Sequence, residues 1–284
     1  MLDHPLQHSI LATPHLQESL AQILMELRTD VPVSDKDIVI AIPSSWADVV
    51  LEQVDLGVGD TDLTEILNWN SAARFGDLLA KQFIQHYPLV SAPNAISQDY
   101  LTVSYNKEIG KALLGAAQSA GFKIHLVDLN IFSALNAVRQ IETVPENGCW
   151  GLWLLSETVQ TLVICEDNEF RQYLDFTLDR MEGYSILRRS SDDPLGQKVI
   201  EEIQAILAFS KDTIHTLNHL YYYSHEFDAD IFNMVMTFEI DNFSTLNPFQ
   251  ADRPAELYKD DGMGKGAMSQ FLDLMGLFYR LNRG

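Results

Sequence analysis

The sequence has little of several features on which whole classes of protein depend. Its two cysteines, Cys149 and Cys165, are too few for a disulfide framework or a four-thiolate metal site. Both lie in apolar, strand-like stretches, which indicates buried thiols and a reducing compartment. No apolar run reaches the roughly 18 residues of a membrane-spanning helix, and the N-terminus lacks the pattern of a signal peptide. The sequence therefore predicts an intracellular protein, and if it works at a membrane, a protein partner must recruit it there.

Positive charge is also scarce. The chain has 19 Lys and Arg residues against 40 Asp and Glu residues, which gives a net charge of -21 over 284 residues. The nearest approach to a basic patch, Arg188-Arg189, is followed by Asp192-Asp193. Such a chain repels phosphate backbones and anionic lipid head groups, so we expect no nucleic-acid partner and no direct docking on lipid.

Motifs for catalysis and metal binding are missing as well. Ser44 and Ser45 follow a strand but lack a Gly-x-Ser-x-Gly elbow. His215 and His219 have a spacing seen in helical zinc sites, yet the glutamate that such sites need is absent. The stretch Gly262–Gly266 resembles a nucleotide loop only superficially, because its lysine is followed by glycine rather than Ser or Thr. We assign no catalytic, cofactor or metal residue.

What is present is a pattern of alternating strands and helices that is typical of an α/β protein. Met1–His15 is polar and predicts an irregular leader, and a helix follows from Leu16. Ile38–Ile42 is a continuous β-branched run, which predicts a buried central strand. In the rest of the first half, the pattern predicts a strand near Val49–Val54, a helix at Leu63–Trp69, a strand at Tyr100–Tyr105, a helix at Ile109–Ala117, a strand at Lys123–Leu129 and a helix at Phe132–Val138.

The second half begins after a linker at Glu142–Gly148, which contains Pro145. A three-stranded meander, a long helix from Val199 to Ile214 and a strand at Leu220–Tyr223 follow it. Two further helices are predicted at Asp228–Met236 and Met268–Tyr279. We therefore predict two lobes, residues 1–147 and 148–284, with a small subdomain inserted into the first at about 48–106.

Four stretches carry a resemblance to a known family. They read IVIAIPSSW (Ile38–Trp46), LTEILNWNSAARFG (Leu63–Gly76), LLGAAQSAGFKIHLVDLNIFSALNAV (Leu113–Val138), and LNPF (Leu246–Phe249) with the closing FLDLMGLFYRL (Phe271–Leu281). In order and spacing they are similar to the type IV pilus assembly protein PilM of the actin-like superfamily. The resemblance implies an actin-like (ribonuclease H-like) two-lobed α/β fold with an inserted α+β subdomain.

The chain departs from the actin-like pattern where nucleotide would bind. It has no Asp-x-Gly hairpin before Leu16, no glycine in the turn at Ser156–Thr158, and no Gly-Gly motif in His219–His225. Phosphate loops need glycine because their backbone approaches the ligand closely and adopts positive φ. We therefore expect no cofactor and no enzymatic activity; binding of ATP with magnesium through divergent loops is the disfavoured alternative.

By resemblance, such a chain is a non-catalytic scaffold of a type IV pilus or related secretion platform. It would bind the cytoplasmic tail of a PilN-like inner-membrane protein in a groove beside the inserted subdomain. The partner-binding residues that we predict are Pro43, Ser44, Ser45, Asn68 and Ser71. Two other functions stay open: an actin-like ATPase, and an adaptor from another actin-like branch, in type II secretion or cell division.

Overall fold

The computed structural model describes residues 5–30, 36–90, 95–141, 144, 147–156, 158–167, 169–179, 183–208, 210–211, 213–225, 242–246 and 269–281. Its helices are α1 (Pro5–Asp30), α2 (Asp60–Phe75), α3 (Lys107–Ser119), α4 (Asn130–Ile141), α5 (Leu195–Leu207) and α6 (Leu272–Leu281). Its strands are β1 (Asp37–Ile42), β2 (Ala47–Asp55), β3 (Gln82–Pro88), β4 (Ser97–Asn106), β5 (Lys123–Leu129), β6 (Cys149–Leu155), β7 (Gln160–Glu166), β8 (Glu169–Asp179), β9 (Gly183–Arg189), β10 (His219–Ser224) and β11 (Phe243–Thr245).

The chain divides into two compact units, Met1–Leu129 and Asn130–Gly284. The division falls before α4, because α4 packs along α6 and against β6 of the second unit. The linker expected at Glu142–Gly148 lies mostly outside the described residues. So do the helix expected at Asp228–Met236, the loop Gly262–Gly266 and most of the LNPF stretch.

The first unit contains two separate sheets. Strands β1 and β5 pair in parallel, and α1 and α3 lie on one face of this pair. Leu24, Ala117, Ala120 and Phe122 form the core there, with Ile38 and Ile124 packed against it. A 3₁₀ turn at Ser44–Trp46 then leads into a three-stranded antiparallel sheet of order β2-β4-β3, which carries α2. This second sheet is the expected inserted subdomain.

The second unit is built on a six-stranded sheet of order β11-β10-β6-β7-β8-β9. Apolar side chains alternate across it, so that both faces are covered. On one face, α5 packs over a core that includes Trp153, Leu162 and Phe176. On the other face, Phe132 of α4 stacks near Tyr173, and α6 lies against α4.

Three expectations about individual elements are wrong. The leader is not irregular, since α1 begins at Pro5; proline is tolerated in the first helical turn, where its missing N–H would have no partner. Helix α5 ends at Leu207 rather than Ile214, so neither His215 nor His219 lies on a helix. The Glu202 carboxylate accepts hydrogen bonds from the amides of His215 and Thr216 at 2.9 and 3.0 Å, which fixes this segment outside the helix.

The third wrong expectation concerns β1. Its sequence predicts a buried central strand, yet Ile42 alone among its residues is buried, and the residues from Ile38 to Ala41 are half-buried. In the described part of the chain, β1 pairs only with β5. The strand therefore lies at the edge of a two-stranded sheet.

Candidate functional site

The turn between β1 and β2 carries three of the expected partner-binding residues. Trp46 donates its backbone N–H to the carbonyl oxygen of Pro43 at 3.0 Å, which closes the turn. Pro43 and Ser45 are exposed, whereas Ser44 is buried. Two of these side chains can therefore contact a partner, and Ser44 supports the turn from inside.

Helix α2 is anchored to the three-stranded sheet at its C-terminal end. Arg74 Nε lies 2.6 Å from Asp48 Oδ2 of β2. Asp48, Ser104 and Ile84 are in register across β2, β4 and β3, so their side chains share one face of the sheet. Because Arg74 binds Asp48, α2 covers this face.

Only one of the two expected contact residues on α2 is exposed. Asn68 lies on the solvent side, next to the exposed Trp69. Ser71 is 2% exposed and lies with Leu67 and Phe75 on the buried side of the helix. Its hydroxyl has no hydrogen-bond partner within the described structure. The expectation that Ser71 is an exposed contact residue is therefore wrong, because positions four apart on a helix share a face.

Beneath α2, a polar contact connects the three strands. Thr102 Oγ1 donates to Glu52 Oε2 at 2.9 Å, and His86 Nδ1 lies 2.8 Å from Thr102 Oγ1. Burial lowers the pKa of His86, and the nearby Glu52 carboxylate partly opposes that shift. His86 is therefore neutral at physiological pH and stabilises the sheet through this contact.

On the opposite face of the sheet, Ala47, Val49 and Leu101 are buried, whereas the side chains of β3 are exposed and partly aromatic. Phe83 and Tyr87 of β3 are 40% and 47% exposed, and their ring neighbour Tyr105 of β4 is half-buried. The ring centroids of Phe83 and Tyr105 are 5.1 Å apart. Burial raises the pKa of Tyr105, and the nearby Tyr87 adds to the rise. We call Phe83, Tyr87, Val103 and Tyr105 the aromatic face.

Helix α3 begins beside the aromatic face. Asn106 ends β4 and accepts the amide of Glu108, so strand and helix meet at this residue. A Cβ atom on Gly110 would lie 3.6 Å from Cε2 of Tyr105, which is ordinary contact distance. The aromatic face thus borders the start of α3. Its residues Phe83 and Tyr87 lie on β3, which is an edge strand of the three-stranded sheet in the described residues.

The places where an actin-like chain would hold phosphate are filled by side chains. At the turn between β6 and β7, Gln160 Oε1 accepts from Trp153 Nε1 at 3.1 Å and from the amide of Ser156 at 3.3 Å. Gln160 Nε2 donates back to the Ser156 carbonyl oxygen. In β10, Tyr222 and Tyr223 are buried, and burial raises the pKa of Tyr222 to about 12. These residues do not fit a phosphate group.

The described residues contain neither a metal-binding cluster nor a membrane-spanning helix. No group of three or more His, Cys, Asp or Glu side chains is arranged to hold a metal ion there. Within the same residues, no helix is both long enough and apolar enough to cross a bilayer.

Comparison with known proteins identifies the fold. No family model and no curated protein sequence matches this chain. Among solved structures, a PilM-PilN type IV pilus biogenesis complex superposes with a TM-score of 0.64 and 14% identity, over 92% of this chain and 84% of the other.

Two further structures are more distant. One is a Bacteroides thetaiotaomicron protein of actin-like ATPase fold and unknown function, with a TM-score of 0.39 and 9% identity over 86% and 72% of the two chains. The other is the cytoplasmic domain of EpsL, an inner-membrane component of the Vibrio cholerae type II secretion system. It has a TM-score of 0.40 and 14% identity, over 91% of this chain and 80% of the other. The chain thus shares the α/β fold of the PilM-PilN structure, as its sequence predicts.

Proposed function

We propose that this chain is a non-catalytic, PilM-like scaffold that binds the cytoplasmic tail of a PilN-like inner-membrane protein. The observation that carries the proposal is the exposed pair Phe83 and Tyr87 of the aromatic face, which lies on β3, an edge strand of its sheet in the described residues. Exposed contiguous apolar surface on a folded protein marks an interaction site. The solved structure with the same fold is a complex with a partner named PilN.

An extended peptide suits this surface. The edge of β3 directs backbone donors and acceptors outward, and an added strand would pair with them. Alternate side chains of that strand would then pack on Phe83 and Tyr87. Pro43, Ser45 and Asn68 are the predicted residues that are exposed, while Ser44 and Ser71 act only through the packing of the turn and of α2. Asn68 lies on α2, across the sheet from the aromatic face, so a tail on that face would not contact it.

The partner also accounts for membrane association. With a net charge of -21, the chain is repelled by anionic lipid. A protein tail that emerges from the bilayer recruits the chain without lipid contact. In this proposal the protein is cytoplasmic and peripheral to the inner membrane.

Peptide binding tests the proposal. The probe is a synthetic peptide with the cytoplasmic tail sequence of a PilN-like inner-membrane protein from the same organism, and its affinity is measured by calorimetry. Phe83→Ser and Tyr87→Ser together should weaken binding about tenfold or more, since aromatic anchors dominate peptide interfaces.

A matched control separates binding from folding. Leu187 of β9 is 50% exposed and belongs to the sheet of the second unit. Leu187→Ser should leave the affinity unchanged. Equal affinity of the aromatic-face variant and the Leu187 variant would show that the tail binds elsewhere.

A further inference from the structure

Helix α2 covers the polar face of the three-stranded sheet. The side chains that share this face with Asp48 are mostly polar, and they include Glu52, Gln82, His86, Thr102 and Ser104. A sheet normally buries its apolar face and leaves its polar face in water. The position of α2 therefore removes from water a face whose composition suits solvent.

Few side chains hold α2 on this face. Three of its sixteen residues are buried, Leu67, Ser71 and Phe75, whereas seven of the twelve residues of α4 are buried. The ion pair between Arg74 and Asp48 adds little, because Arg74 is 38% exposed and water screens such pairs. Burial of Leu67 and Phe75 keeps α2 in place, and we expect its removal from the sheet to cost less than unfolding of the whole unit.

Two buried polar atoms between α2 and the sheet have no hydrogen-bond partner among the described residues. They are Ser71 Oγ and Gln82 Oε1, and the two residues are 2% and 5% exposed. A buried polar atom without a partner has lost its water and gained no hydrogen bond in exchange. Both atoms would be hydrated if α2 left the sheet, so they favour the lifted position.

A glycine with positive φ lies on each side of α2. Gly57 has a φ of +102° between β2 and the helix, and Gly76 has a φ of +50° directly after the helix. A Cβ atom at either position would meet no atom within 4 Å beyond its chain neighbours, so the backbone conformation and not close packing requires glycine. Residues of this kind at the ends of an element absorb the backbone rotations of a hinge.

His86 is the titratable group at the centre of the covered face. Thr102 gives its hydroxyl proton to Glu52, so the Nδ1–H of neutral His86 donates to Thr102. The other titratable or charged groups on this face are Tyr100 of β4 and the paired Asp48 and Arg74.

The protonation of His86 couples the position of α2 to pH. Burial holds the pKa of His86 below its ordinary value of 6.5, although the Glu52 carboxylate opposes the shift. With α2 lifted, His86 is in water and takes up a proton more readily. The covered position therefore loses stability as the pH falls through 6.5, and it keeps its full stability above that value.

We propose that α2 is a hinged lid, which lifts from the three-stranded sheet about Gly57 and Gly76 when the pH falls. The lifted lid exposes Glu52, Thr102 and His86 to water while the three strands stay paired. The lid lies across the sheet from the aromatic face, so this proposal does not depend on where the tail binds.

The test is amide hydrogen exchange on the full chain at about pH 7.5 and about pH 5.5, with each rate corrected for the intrinsic exchange rate at that pH. The protection of α2 amides should be about tenfold or more below that of the β4 amides that pair with β2 and β3, because the lid opens while the sheet stays intact. Protection of α2 should fall about threefold or more further in acid.

Two variants separate the lid from general loosening. His86→Gln keeps a donor to Thr102 but cannot take up a proton, so the acid-induced fall in α2 protection should disappear. Ser71→Ala removes the unpartnered hydroxyl and should raise α2 protection about threefold or more at both pH values. The matched control Asn68→Ala makes a similar gain in helix propensity on the exposed side of α2, and it should raise protection less.

Three results would overturn the proposal. The first is equal protection of α2 and β4, which would mean that the helix leaves only when the sheet unfolds. The second is an acid-induced fall that persists in His86→Gln. The third is an equal effect of Ser71→Ala and Asn68→Ala, which would leave helix propensity as the whole explanation.

Discussion

At the scale of single residues, the same amino acid has opposite effects in two helices. Gly276 of α6 crosses α4 so closely that a Cβ atom there would overlap the backbone oxygen of Ser133. Asn136 Nδ2 donates to the Gly276 carbonyl oxygen at 2.8 Å, which fixes the crossing. Gly110 of α3 has only ordinary contacts around its would-be Cβ.

We therefore predict opposite signs for two Gly→Ala substitutions. Gly276→Ala should lower the free energy of unfolding by about 1–3 kcal/mol or more, since backbone must shift to admit the methyl group. Gly110→Ala should raise it by about 0.5–1 kcal/mol, the helix propensity difference. Urea denaturation of both variants checks this. A Gly276→Ala chain as stable as the native one would mean that the helices do not cross so closely.

At the scale of the element, substitutions on the exposed side of α2 test binding, and substitutions on its buried side test folding. Asn68 is exposed, and Ser71 points into the sheet. A carboxylate at the buried position would lose its hydration, and Arg74, one turn along the helix, is already paired with Asp48. Burying such a charge costs several kcal/mol. A carboxylate at the exposed position remains in water.

We predict that Asn68→Glu keeps the native melting temperature and that Ser71→Glu lowers it strongly. In cells that contain the partner, Asn68→Glu should leave the membrane-associated fraction unchanged if the tail lies on the aromatic face, and a reduced fraction would place α2 in the interface instead. Circular dichroism and cell fractionation measure the two quantities. If the fully folded Asn68→Glu protein stays at the membrane, α2 lies outside the partner interface.

At the scale of the whole molecule, binding of ATP with magnesium distinguishes a scaffold from an ATPase. The turn after β6 is closed by Gln160, and β10 carries buried tyrosines in place of glycines. We predict that calorimetry detects no binding of ATP with magnesium under conditions in which the tail peptide binds. A micromolar dissociation constant for ATP, about -8 kcal/mol, would contradict this and support the ATPase.

Much of the fold follows from the sequence by itself. Strands β5 to β8 and helix α3 were predictable because their apolar periodicity is strong and is bounded by turn residues. The inserted subdomain was predictable from the change in the pattern of strands, helices and loops after Asp48. The lack of glycine at Ser156–Thr158 and at His219–His225 is read directly from the sequence, and the loss of nucleotide binding that it indicates stays a prediction.

The tertiary structure alone decided where the surfaces lie. Strands β3 and β9 were missed because their exposed faces mix aromatic and polar side chains, as at Phe83 and Gln85, and blur the alternation. The family resemblance of Leu63–Gly76 places Ser71 on a helix, but only the position of the sheet shows that Ser71 is buried. The continuous apolar run at β1 is typical of a central strand with neighbours on both sides. The number of neighbours depends on pairing between distant segments, which no local pattern encodes.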